Sequence, residues 1–89
     1  MKSIEKEFVD FYINVGKSWG LDILSSKLMG MLYLEPKEIC IEKLAEKTGY
    51  SLASISNKMR FIESFGVIKR IKKPGSKKVF YYMEKIALN

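Results

Sequence analysis

The sequence predicts an α+β fold, mainly α, in which about four helices lead into a basic two-stranded hairpin. Two observations carry this. Apolar residues recur at three- and four-residue spacing up to about position 65, and two β-rich runs then flank Pro74-Gly75-Ser76. The 89 residues, 47% hydrophobic and 29% charged, suit one domain with one modest core, so 1–89 is expected to be a single unit.

The first helix is expected from Ser3, a capping residue type, to about Trp19, with Ile4, Phe8, Phe11, Tyr12, Val15 and Trp19 on its packing face. Gly20 punctuates it. Asp22 can cap a second, more apolar helix that runs to the stop at Glu35-Pro36. The spacing allows a short third strand near 39–41. "IEKLAEKTGY" then reads as a two-turn helix with Ile41, Leu44 and Ala45 inward and Gly49 just past its end. Ser51 can cap a fourth helix to about Phe65, with Ile55, Met59 and Ile62 on one face and Gly66 at its exit. Helix, short turn and helix over 41–65 make a helix-turn-helix. "VIKRIKK" and "KKVFYYMEK", joined by a loop of three to five residues, make a hairpin over 67–84. Together they describe a winged helix.

Composition narrows the function. No apolar run is long enough to span a bilayer, and the charged start "MKSIEKEF" has no signal-type apolar region behind it, so no membrane partner and a cytoplasmic site are expected. With a single cysteine, Cys40, and no histidine, intrachain disulfides, a zinc site and Ser/His or Cys/His catalysis are excluded. No carboxylate pair or metal-ligand cluster is evident, and "GKSWG" lacks the upstream glycine of a phosphate loop, so neither an enzyme nor a cofactor is expected. The net charge of +6 is one-sided. Residues 1–50 hold seven lysines against eight acids, −1, whereas 51–89 hold nine Lys and Arg against Glu63 and Glu84, +7. A field of that kind attracts a polyanion.

The run "WGLDILSSKLMGMLYLEPKEICIEKLAEKTGYSLASISNKMRFIESFGVIKRIKK" and its continuation to Tyr82 resemble the MarR-type winged-helix regulators, closest to the archaeal and bacterial GbsR-like branch. The likeness lies in the order of parts: Trp-Gly, an apolar helix ending in Leu-Tyr-Leu, a Leu-Ala helix, a Ser-rich recognition helix and the "ESFGV" exit. It implies a transcription regulator that binds double-stranded DNA, usually as a homodimer on a near-palindromic site; any small-molecule effector stays open. Relatives continue into C-terminal helices that build the dimer, whereas this chain ends at Asn89, so the N-terminal helix is expected to supply the contact. Cys40 stands where the family favours a Ser or Thr cap.

With Ile55, Met59 and Ile62 inward, Ala53, Ser54 and Asn57 fall where the start of a major-groove helix meets base edges. Ser51, Ser56, Lys58 and Arg60 suit phosphate or groove-edge contact. In the hairpin, Lys69, Arg70, Lys72, Lys73, Lys77 and Lys78 crowd together with no acid between them, which an adjacent phosphate backbone would relieve. The tip at Lys73, Ser76 and Lys77 can reach the minor groove. Val79, Phe80 and Tyr81 are expected to anchor the wing rather than stack on bases. The first helix also carries Val9 and Ile13 roughly opposite its packing face, so a second copy is expected against Ile4, Phe8, Val9, Tyr12 and Ile13. Phe61 points outward and suits a partner contact. An RNA-binding or a protein-docking winged helix would use the same fold differently.

Overall fold

The computed structural model describes residues 3–84. The elements run α1 (Ser3–Ser18), α2 (Ile23–Leu34), β1 (Ile39–Cys40), α3 (Ile41–Thr48), α4 (Leu52–Glu63), β2 (Ile68–Lys72) and β3 (Val79–Met83). The strands form one antiparallel sheet in the order β1-β3-β2. Four helices with this small sheet are a winged helix, and the short third strand is formed by β1.

Local chemistry sets the boundaries. Asp22 caps α2 by accepting the Ser25 N–H at 3.0 Å, and Ser51 caps α4 by accepting the Ser54 N–H at 3.1 Å. Cys40 precedes α3 without any side-chain cap bond. Gly49 closes α3 in the left-handed region at φ 77°, a conformation open to glycine at little cost, and so lets α4 turn back across α3. The capping role expected of Ser3 rests on a side chain outside those described. The hairpin connection occupies 73–78, longer than expected, so Lys77 and Lys78 lie in the loop and not on a strand.

Leu28 and Leu32 of α2, Leu44 of α3, and Ile55, Met59 and Ile62 of α4 are fully buried, and Ile39, Ile68, Tyr81 and Met83 close the core from the sheet. Tyr81 and Val79 thus anchor the wing as expected. Each such side chain contributes about 1.5–3 kcal/mol of gross transfer free energy.

The orientation of α1 reverses the sequence expectation. Val9, assigned to a free side, is 3% exposed in the core, and Ile13 packs against it, while Ile4, Phe11 and Trp19 of the supposed packing face are exposed. Close approach decides this. A Cβ at Gly16 would overlap Ser26 Oγ, and one at Gly30 would stand 3.2 Å from Tyr12 Cβ and 3.5 Å from Val9 Cα. Only the face of α1 bearing Val9, Tyr12 and Gly16 fits against α2 at that distance, and dense packing outweighs the larger but bulkier apolar face. Val9 is therefore not available to a partner, and Phe8 and Tyr12 are half-buried, forming with Tyr33 an aromatic cluster.

Candidate nucleic-acid interface

The start of α4 stands in solvent. Ser51, Ala53, Asn57 and Arg60 are exposed, whereas Ser54, Ser56 and Lys58 are half-buried. The Ser51 hydroxyl donates to Ser54 Oγ at 3.0 Å, which fixes both rotamers and leaves the Ser54 hydroxyl hydrogen free to donate outward. Tyr50 and Leu52 are also exposed, 44% and 50%, on either side of the cap. Sequence reading missed them. The available signal was two large apolar residues bracketing a cap, where neither the inward face of α3 nor that of α4 can take them.

Strand register sorts the wing cations. Arg70 lies opposite Tyr81 and Lys72 opposite Val79, so both share the face of Ile68, Tyr81 and Met83, which points toward the core and α4. Lys69 lies opposite Tyr82, on the other face with Ile71 and Phe80. No cation stands across β2–β3 from another, so the repulsion expected from the sequence is avoided by pairing cations with aromatic and apolar residues. The Tyr81 phenol is pushed up, first by burial and then by the Glu63 carboxylate, against the opposing influence of Arg70 and Arg60. Both arginines therefore act on one buried phenol at the junction of α4 and the wing.

The expectation that the wing charge lacks acids is only partly met. Lys73 Nζ lies 2.6 Å from Glu38 Oε1, and Lys69 Nζ 2.5 Å from Glu84 Oε1. Lys58 Nζ is 3.3 Å from Asp22 Oδ2, tying α4 to the α1–α2 turn. These acids lie outside the hairpin tip or in the other half of the chain, which is why local charge counting overlooked them. The Lys73 hydrogen bond, with the backbone N–H of Glu38 and the Lys73 charge, holds the Glu38 carboxyl below the usual carboxylate range. The Lys69 ammonium is raised by its hydrogen bond to and charge interaction with Glu84.

Arg60, Arg70, Lys72, Lys77 and Lys78 make no ion pair among the described residues. All five are exposed. At the wing tip the Ser76 N–H donates to Lys73 O and the Lys78 N–H to Ser76 Oγ, both at 3.1 Å, so Ser76 shapes the loop that carries Lys77 and Lys78. The arrangement offers neutral hydrogen-bonding and small apolar groups at the start of a helix, flanked by cations from the same helix and from the wing. Such a surface suits a polyanion with readable edges.

Among the described residues no group of three or more His, Cys, Asp or Glu stands together to hold a metal ion, and no helix is long and apolar enough to cross a membrane. Cys40 is a half-buried free thiol. A surface groove of about 770 Å³ lies between the ends of α1 and α4, lined among others by Phe11, Val15, Trp19, Phe61 and Phe65. Phe61, read as outward from the sequence, is one of its walls.

No protein-family model matches the chain, and none of the curated proteins does. Among solved structures it is similar to one described as the crystal structure of a transcriptional regulator, with a TM-score of 0.82 and 27% sequence identity. The match covers 91% of this chain and 56% of that regulator, so this chain spans little more than half of the regulator's length.

Proposed function

We propose that the chain is a DNA-binding winged-helix module of a transcription regulator, MarR-type and closest to the GbsR-like branch. In this reading it is prokaryotic and cytoplasmic, works as a homodimer, and acts by binding and not by catalysis. Residues 51–65 enter the major groove, with Ala53, Ser54 and Asn57 at base edges and Leu52 beside them as an apolar contact for thymine methyl groups. The wing over 67–84 lies along phosphates, and its tip reaches the minor groove.

The observation that carries the reading is the set of unpaired cations, Arg60, Arg70, Lys72, Lys77 and Lys78, around an exposed and capped helix start. Lys58, Lys69 and Lys73, being paired, contribute less. The similarity to a transcriptional regulator supports the same reading. Selection of genomic fragments by the purified protein tests it. Enrichment of a short, near-palindromic duplex sequence is the expected result. Retention of random fragments alone, or displacement of the duplex by structured RNA at equal nucleotide concentration, overturns it.

A further inference from the structure

Of the sixteen Lys and Arg side chains only two are arginines, Arg60 and Arg70, and they come from different elements. The fold brings both to one junction, where α4 packs against β2. Arg70 lies directly opposite Tyr81 on the face of the wing that points toward α4, and Tyr81 is 3% exposed. The charges of Arg60 and Arg70 both act on that phenol. A guanidinium differs from an ammonium in its planar fork, which can grip a phosphate through two parallel hydrogen bonds. Lysines carry every other positive charge of the interface, so forked donors are confined to this junction.

Glu63 stands three residues after Arg60, a spacing that makes the two neighbours on the helix surface. Its Oε1 is buried without a hydrogen-bond partner, and its carboxylate makes no ion pair among the described residues. It is also the last residue of α4, where the helix dipole disfavours negative charge. Both features cost stability, and no contact in the fold offsets them. A local choice that works against folding in this way marks a functional position.

The carboxylate does offer a negative charge that faces Tyr81 from α4, as Arg70 faces it from the wing. It draws together two guanidinium groups that would otherwise repel each other. Because neither arginine is bonded to it, both keep their donors for a ligand.

We propose that Arg60 and Arg70 form one clamp for a single backbone phosphate of the duplex at the junction of α4 and the wing, and that Glu63 is the positioning residue that holds the two guanidinium groups toward each other. This rests on the DNA-binding reading above and adds a constraint to it. A phosphate held from both elements fixes the depth at which the start of α4 enters the groove.

The test reads duplex affinity by fluorescence anisotropy over a salt series, and folding by urea unfolding. Glu63→Gln keeps the shape and removes the charge. If charge alone mattered, duplex binding would tighten, since a negative charge leaves the interface. The clamp predicts the opposite: binding about 3–10-fold weaker, with the urea midpoint unchanged or raised. Arg60→Lys and Arg70→Lys each keep the charge, so the salt slope is expected to stay the same while binding weakens about 3–10-fold. The two replacements together are expected to lose no more than the larger single loss, and in the Glu63→Gln background to act independently. The alkaline absorbance titration of Tyr81, isolated by difference from Tyr81→Phe, reads the cluster without DNA. Glu63→Gln is expected to lower its midpoint and Arg70→Gln to raise it.

Tighter or unchanged duplex binding by Glu63→Gln overturns the clamp, as do additive losses for the two arginines in the otherwise unmutated protein. So does a Tyr81 titration indifferent to both Glu63→Gln and Arg70→Gln. A protein that binds no duplex, with its Tyr81 titration still following both charges, overturns the function reading and the clamp's ligand with it, whereas duplex binding without the Tyr81 response overturns the clamp alone.

Discussion

The Lys73 ammonium lies 2.6 Å from Glu38 Oε1, so the base of the wing tip is tied to the segment leading into β1. The same ammonium sits 4.5 Å from the centre of the Phe80 ring, which holds it on the outer face of the hairpin. Glu38→Gln removes the competing carboxylate. Duplex affinity is expected to rise at every sequence and the salt slope to steepen by about one unit, as one more phosphate contact becomes available. Fluorescence anisotropy over a salt series checks this; an unchanged slope would mean that Lys73 does not face DNA.

Asp22 joins three elements. Its carboxylate accepts from the Ser25 N–H at 3.0 Å and hydroxyl at 2.6 Å and pairs with Lys58 at 3.3 Å. Burial pushes the carboxyl up, but the Ser25 bonds and Lys58 together outweigh it and leave it below the usual range. With the folded value below an unfolded value of about 3.9, the stabilisation is present above that pH and lost as pH falls through the folded value. Asp22→Ala is expected to cost about 1 kcal/mol at pH 7 and less at a pH below the folded value, read from urea unfolding. Equal losses at both pH values would contradict the assignment.

Gly16 and Ser26 set the distance between α1 and α2. A Cβ at Gly16 would overlap Ser26 Oγ and stand 3.0 Å from its Cβ, so Gly16→Ala is expected to cost about 1–3 kcal/mol. Ser26 Oγ is itself buried without a hydrogen-bond partner, so Ser26→Ala is expected to be neutral or stabilising by about 1 kcal/mol. The double variant should recover part of the loss, a coupling that a thermodynamic cycle measures.

The reversed face of α1 has its own check. Val9→Asp places a carboxylate in the core and is expected to abolish cooperative unfolding, whereas Ile4→Asp should change stability by about 0.5 kcal/mol or less. Thermal melts by circular dichroism distinguish the two.

Much of this was legible in the sequence because short-range chemistry decides it. Asp22, Ser51, Gly49 and the Pro74-Gly75 turn mark boundaries through their own backbone and side-chain preferences, and Ile55, Met59 and Ile62 share a face by helical geometry alone. What escaped depends on long-range contact. The buried face of α1 was chosen by Gly30 and Ser26 on another helix, and Lys58 and Lys73 were paired by Asp22 and Glu38 from the other half of the chain. The Phe61–Phe65 pair could be read as outward, but not the α1 wall that faces it across the groove.

Salt dependence decides which cations meet phosphate. The measurement is the dependence of duplex affinity on salt for the unmutated protein, for Arg70, Lys72, Lys77 and Lys78 all changed to Ala, and for the paired lysines Lys58 and Lys69 changed to Ala. The first set is expected to lower the slope by about 3–4 units, near 0.9 per lost contact, equally at all sequences, and the second by less than about one unit. An unchanged slope in the first set, or equal losses in both, would contradict the proposed interface.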